Sequence, residues 1–390
     1  MKSKKHLYND ILKYDNALEM YNKIKRSCRN RKAVYEFSLN LNTHIMNILL
    51  LLKERKYKFS RYKIFMIRDP KFRIIMSENI PDKLVNHLVS KHILLPALES
   101  KLIDTNVATR IDKGSGYAFN MFVKYINKLK YTKKEIYLLK IDIKKYFYNI
   151  DHEILKELVR KYIRDKDALD LLDVIIDSTN EEYVNKVINN LKEDKIKYIN
   201  NLNITDREKN IKLKMIRDIP LYQKGKGLPI GNMTSQILAI FYMNSVDHFI
   251  KENLGFKYYI RYMDDLLIID TDLDKLKNSF DLIVDEIRKL KLDINSKSNI
   301  YKLSNGISFL GYMFKLNKNN KLIVRYNNKT IRRINKRLKN LYKYDYEKYV
   351  KSYGSYKGYL YLSNTKLYSD YLSDYYKFEN ACAKLDVNLK

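Results

Sequence analysis

Tryptophan is absent from the 390 residues, and cysteine (two), proline (five) and glycine (ten) are scarce. Two cysteines, Cys28 and Cys382, cannot make a disulfide scaffold, which fits a reducing cytoplasm. The histidines at 6, 44, 87, 92, 152 and 248 form no cluster with cysteine at zinc-ligand spacing. Long apolar runs are also missing. Ile48 to Leu52 is far shorter than the roughly 20 residues that span a bilayer. The N-terminal MKSKKHLYND has charge but no apolar core after it, so it does not read as a secretory signal. Neither GxGxxG nor a P-loop occurs, which disfavours a doubly wound nucleotide-binding fold. Acidic residues are the last shortage, with 45 against 76 basic ones and a formal net charge of +31.

A surplus of that size calls for a polyanionic partner, either nucleic acid or an anionic membrane face, and without a membrane segment nucleic acid is the favoured one. Thirty-five tyrosines and many lysines suit stacking and phosphate neutralisation, although an AT-rich coding sequence accounts for most of the tyrosine. The chain length allows two or three domains and a sizeable core.

Periodicity predicts helix over residues 1 to about 60, through Leu39, Leu41, Ile45, Ile48 and Leu52. "YKIFMIRDPKFRIIM" (62–76) reads as a hairpin turning at Asp69-Pro70. Helix returns at Asp82 to Leu98, and a loop with Gly114 and Gly116 follows at 111–120. Ile136 to Ile143 is a buried strand, and Asp151 is placed to cap the next helix. Residues 180–217 are charged and poor in apolar residues, and predict a solvent-exposed helical insertion. Asn232 to Ile250 reads as an amphipathic helix. Beyond it come a strand–turn–strand, a helix near 272–290, a turn at Asp293 to Lys297, a hairpin at "GISFLGYMF" and a basic helical module from Lys329 on. This order suits an α+β fold, with helices on one face of an antiparallel sheet.

The chemistry is concentrated in "RYMDDLLIID" (261–270), where Asp264 and Asp265 interrupt an apolar strand pattern. Burying an ionised carboxylate is costly without a partner or a metal. Aspartate is common in hairpin turns for backbone reasons alone. Asp142, however, ends a second buried strand, "YLLKIDI". If the two strands are neighbours, their carboxylates converge, as a site for two Mg²⁺ ions and phosphoryl transfer requires.

The segment Tyr-Met-Asp-Asp resembles the signature of reverse transcriptases. "LLKIDIKKYFYNIDH" (138–152) is similar to their first catalytic motif, and "KGLPIGNMTSQILAIFYMNSVDHFI" (226–250) to the template- and nucleotide-handling motif. The likeness continues through "DPKFRIIM", "DKLVNHLV", "LDINSKS", "FLGYMF" and "SYKGYLYLSNTKLY", and covers roughly residues 60–370. It implies a right-hand polymerase, with an N-terminal helical segment at 1–60, fingers at 61–130, a palm at 131–320 and a basic thumb at 321–390.

The resemblance also implies roles. Asp142 and Asp264, with the Ile143 carbonyl, hold two Mg²⁺ ions, and Asp265 supports them. Lys71 and Arg73 grip the triphosphate. Phe147 is the steric gate against a 2′-hydroxyl, Ile230 and Gln236 lie in the nucleotide-handling motif, and Lys297 assists the departing pyrophosphate. Phe309, Leu310 and Gly311 match the primer grip, and Arg332, Arg333, Lys336 and Arg337 track duplex phosphates. The implied partners are structured or template RNA, a DNA product and dNTPs, with a small accessory protein or a homo-oligomer as a further possibility.

Most reverse transcriptases have Gln-Gly at Ile230-Gly231 and Ser-Pro at Ser235-Gln236. "PIGNMTSQ" is similar to the error-prone enzymes of diversity-generating retroelements. Phage-defence reverse transcriptases, some of them template-independent or protein-primed, are the second resemblance, and the tyrosines of "YLYLSNTKLYSDYLSDYYKF" offer hydroxyls for priming or simply a hydrophobic thumb. A non-catalytic RNA-binding scaffold is the third reading, and the intact aspartates oppose it.

Overall fold

The computed structural model describes residues 6–68 and 71–360. The chain divides into two compact units. One comprises Met1–Gly114, Ile141–Leu266 and Ser279–Ser298. The other comprises Ser115–Lys140, Leu267–Asn278 and Asn299–Lys390. Helices and antiparallel strands are mixed, as the α+β pattern predicts.

In the first unit the N-terminal helices include Tyr14–Ser27, Arg31–Leu39 and Leu41–Lys53. The last buries Ile45, Ile48, Leu49 and Leu52, a stripe at helical spacing. An antiparallel hairpin follows, with β1 at Lys63–Arg68 and β2 at Phe72–Ser77. Strand alternation sends Phe72, Ile74 and Met76 inward and leaves Arg73 exposed. The Asp69-Pro70 turn lies outside the described residues.

The structure corrects the reading of residues 180–217. They form helices Glu182–Asn200 and Asp206–Arg217, which are packed against the hairpin rather than surrounded by solvent. Val184, Ile188, Ile199, Leu213 and Ile216 share one core with Ile64, Phe72, Ile74 and Met76. Few apolar residues suffice because they fall on one face of each helix, while the charges occupy the rest. Residues 232–250 need a similar correction. Helix Met233–Tyr242 is buried almost all round, Gln236 being half-exposed and Met233 exposed at its start, and at Met243 the chain breaks into a second short helix, Asn244–His248.

One sheet has the order β4-β5-β3-β6, with β3 at Tyr137–Asp142, β4 at Tyr258–Tyr262, β5 at Asp265–Asp270 and β6 at Asn299–Lys302. Leu138, Leu139 and Ile141 of β3 are buried, as are Leu266 to Ile269 of β5. Burial along most of each strand explains their near-continuous apolar sequence.

The second unit holds a three-stranded antiparallel sheet, β7 at Ile307–Phe309, β8 at Tyr312–Leu316 and β9 at Leu322–Tyr326. Its inner face packs Tyr312 and Phe314 against Phe119 and Phe122 of helix Ser115–Leu129, with the Phe122 and Phe314 rings 4.3 Å apart. Helices Asn328–Tyr344 and Tyr346–Leu360 then pair through Ile334, Leu338, Tyr349, Val350 and Tyr353. The tyrosine-rich stretch from residue 361 and Cys382 lie outside the described residues. Among the described residues no helix is long and apolar enough to cross a membrane.

Candidate active site

Asp142 ends β3, and Asp264 sits in the turn between β4 and β5. The Ile143 N–H donates to the Asp264 carbonyl at 3.2 Å, which ties the two acidic positions together through the backbone. A third segment closes on them. The Asn295 N–H donates to the Asp142 carbonyl at 2.7 Å, and the Lys144 N–H to the Asp293 carbonyl at 2.8 Å. The Asp142 N–H in turn donates to Ser298 Oγ at 3.1 Å. The Asp293–Lys297 turn is therefore part of the site, with Lys297 exposed on it.

The carboxyl of Asp264 is pushed up to about 6. Burial is the main cause, the negative charges of Asp265 and Asp142 add to it, and the Arg73 guanidinium opposes it. Asp142, Asp264, Asp265 and Arg73 thus share one electrostatic environment. Among the described residues no three acidic, imidazole or thiol groups form a metal-binding cluster by themselves. The available donors are carboxylates and the Ile143 carbonyl, hard oxygens of the kind Mg²⁺ prefers. Crowded negative charge in a partly desolvated place also fits a cation, which would relieve the repulsion that raises Asp264.

The turn itself is held from beneath. Met263 has φ +57°, unusual for a residue with a long side chain. The Arg261 Nη1 donates to its carbonyl at 3.1 Å. The same guanidinium is fully buried and paired with Asp247, which also accepts from the Tyr259 hydroxyl at 2.7 Å. The sequence reading missed Arg261 and Asp247. A lone arginine in "YYIRYM" and a lone aspartate in "MNSVDHFI" were the available signal, since a charge in a buried run needs a partner.

The nucleotide-motif loop is placed by backbone hydrogen bonds. Gly227 N–H donates to Ile150 at 2.8 Å, and Leu228 N–H to Phe147 at 2.8 Å. Buried His152, next to the helix cap Asp151, bonds the Gly227 carbonyl through Nε2 at 2.7 Å. Asp151 does cap that helix, its carboxylate accepting from the Ile154 N–H. Phe147 itself is half-exposed in the short helix Tyr146–Asn149.

Farther along the loop, the Met76 N–H donates to the Ile230 carbonyl at 2.9 Å, fastening β2 to it. Gly231 has φ +142°, and a Cβ there would lie 2.6 Å from the Met76 carbonyl oxygen, so the approach needs glycine. Lys71 and Arg73 are exposed on this hairpin.

Of the sequence candidates, Asp142, Ile143, Asp264, Asp265, Arg73 and the Lys297 turn are thus drawn together in the first unit, with Phe147, Ile230 and Gln236 on its motif-bearing segments. In the second unit, Phe309 is buried against Phe122, with ring centroids 5.8 Å apart. Leu310 and Gly311 make the two-residue turn before β8, with φ of +50° and +86°. Arg332, Arg333, Lys336 and Arg337 are exposed on helix Asn328–Tyr344, opposite its buried Ile331, Ile334 and Leu338.

Solved structures similar to the chain include two of telomerase from Candida tropicalis, one truncated from its C-terminal domain, and one of telomerase from Candida albicans with a telomeric RNA fragment. The truncated one is 14% identical over 71% of this chain and 58% of its own, with a TM-score of 0.46. The Candida albicans one is 13% identical over 71% and 46%, with a TM-score of 0.41. This chain thus spans about half the length of these telomerase chains. A search of curated proteins finds no match. The model of the reverse transcriptase (RNA-dependent DNA polymerase) family matches residues 67–314, well over half the chain, and the protein therefore belongs to that family.

Proposed function

We propose that the chain is an RNA-directed DNA polymerase that adds deoxynucleotides to a primer 3′-hydroxyl. The convergence of Asp142 and Asp264, joined by the Ile143 hydrogen bond and carrying a raised Asp264 carboxyl, supports this best. Asp142, Asp264 and the Ile143 carbonyl would hold two Mg²⁺ ions, which, when bound, stabilise charge on the attacking and leaving oxygens. Arg73 and Lys71 bind and orient the triphosphate from the exposed edge of the β1–β2 hairpin. Phe147 limits the space beside the sugar 2′-carbon and so favours dNTPs. Lys297 stands to neutralise the departing pyrophosphate. Phe309, Leu310 and Gly311 shape a tight hairpin for the primer, and Arg332, Arg333, Lys336 and Arg337 offer phosphates a basic helical face.

The finer reading is error-prone cDNA synthesis in a diversity-generating retroelement. It rests on Ile230, whose side chain has no amide to hydrogen-bond a nascent base pair. A phage-defence role is the alternative, since some reverse transcriptases of that kind also depart from the Gln-Gly pattern at Ile230-Gly231.

The test is primer extension by the purified protein on a defined RNA with dNTPs and Mg²⁺, followed by sequencing of the cDNA. Errors should gather opposite template adenine. Ile230→Gln should reduce them by about tenfold, the effect of roughly 1.4 kcal/mol of added discrimination. An accurate wild-type product would remove the diversification reading, whereas no DNA product would remove the polymerase reading.

A further inference from the structure

We propose that a basic pocket in the second unit is a docking site for the backbone of base-paired RNA. The pocket has a volume of about 730 Å³ and lies beside the residues that lead into β3 and along β8 and β9. Five cations line it, Lys133, Lys134, Lys315, Lys318 and Arg325, against one carboxylate, Glu135. None of the residues already given a role takes part.

The arrangement follows from strand register. Met313 lies opposite Arg325, and Lys315 opposite Ile323. Alternation puts these four on the face turned away from Phe119 and Phe122, because Tyr312 and Phe314 take the inner face. Lys315 and Arg325 are thus diagonal neighbours on one face, close enough for their charges to repel. The β8–β9 turn brings Lys318, and it is pinned in place where Asn320 Nδ2 donates to the Lys130 carbonyl at 2.7 Å. Glu135 accepts a hydrogen bond from Ser304 Oγ at 3.1 Å. Among the described residues none of the five cations is ion-paired with a carboxylate. Such uncompensated charge in a concave place weakens the fold unless a polyanion neutralises it.

The lining also indicates which polyanion. No aromatic side chain lines the pocket, so it has no platform for stacking unpaired bases. Recognition must therefore fall on phosphates and sugars, which a duplex presents in a fixed array. Asn317 uses its Oδ1 for the N–H groups of Asn319 and Lys321, at 3.0 and 2.8 Å, leaving its Nδ2 as a donor. A ribose 2′-hydroxyl in the shallow groove of an A-form helix can accept from such a donor, and DNA has no equivalent.

The experiment measures binding of the full chain to an RNA hairpin, a single-stranded RNA of equal length and a DNA duplex, across a salt series. The variants are Lys315→Glu/Arg325→Glu, its milder form Lys315→Gln/Arg325→Gln, and a control of equal charge change, Lys214→Glu/Arg217→Glu, on helix Asp206–Arg217. Thermal unfolding checks that each remains folded. The pocket variants should weaken hairpin binding by about tenfold or more, and flatten the salt slope by roughly 0.9 for each phosphate that is no longer neutralised. The control, single-stranded RNA and DNA should change less than threefold. Hairpin binding within twofold of wild type in the folded Gln variant would overturn the proposal. An equal loss in the control, or for single-stranded RNA or DNA, would overturn it too.

Discussion

Arg261 and Asp247 form a two-point ion pair in which neither side chain is exposed. Nε donates to Oδ1 and Nη2 to Oδ2, both at 2.7 Å. The same arginine grips the Met263 carbonyl, one residue before Asp264. The pair therefore connects a buried helix to the turn that carries the candidate catalytic acid.

Removing one member leaves a buried charge uncompensated, so Arg261→Met or Asp247→Leu should cost about 3–5 kcal/mol in denaturant unfolding. The double variant should recover much of that loss, because an apolar pair replaces both charges. Its primer extension should stay low, since nothing then holds the Met263 carbonyl. Single variants as stable as wild type would contradict this account of the turn.

Glu78 supplies a pH signature. Burial pushes its carboxyl up to about 8, and the Asn86 side-chain amide donates to it. Asn86 also accepts from Thr234 of the motif helix, at 2.8 Å. A folded pKa above the unfolded one stabilises the fold fully below the ordinary value of 4.5 and ceases to do so as pH rises through about 8. Wild type should lose stability relative to Glu78→Gln across that window, by at most about 1.4 kcal/mol per pH unit. Urea unfolding of both proteins from pH 5 to 9 checks it, and parallel curves would refute it.

Gly231 tests the close approach of β2 to the motif loop. Gly231→Ala should destabilise by about 1–3 kcal/mol through backbone strain, and more through the clash with the Met76 carbonyl. Gly114 is the comparison, since its φ of +146° is similar but a Cβ there would meet nothing within 4 Å. Gly231→Ala should therefore cost more than Gly114→Ala. Equal costs would mean that the close approach to Met76 does not matter.

Much of the site was legible because its residues break a local pattern. Asp142 and Asp264 interrupt apolar strands, and Asp151 stands where a helix begins. The features that went unread depend on distant partners. Nothing near Arg261 in the sequence identifies Asp247, 14 residues earlier, as its counter-charge. Val184, Ile188, Ile199, Leu213 and Ile216 were too diluted by charge to announce a core, because the apolar surface they cover belongs to β1 and β2, more than a hundred residues upstream. The helix Met233–Tyr242 hides its burial in a similar way, since Thr234 and Ser235 are polar yet enclosed.

The central claim is that Asp142 and Asp264 form one catalytic centre, and its most direct test is primer extension by Asp264→Asn. Asparagine keeps the shape and removes the charge that a metal ion needs. It also removes repulsion from Asp265 and Asp142, so the variant should be at least as stable as wild type. The account predicts that extension is lost, while RNA affinity and thermal stability are retained. Extension near the wild-type rate in the folded variant would contradict it.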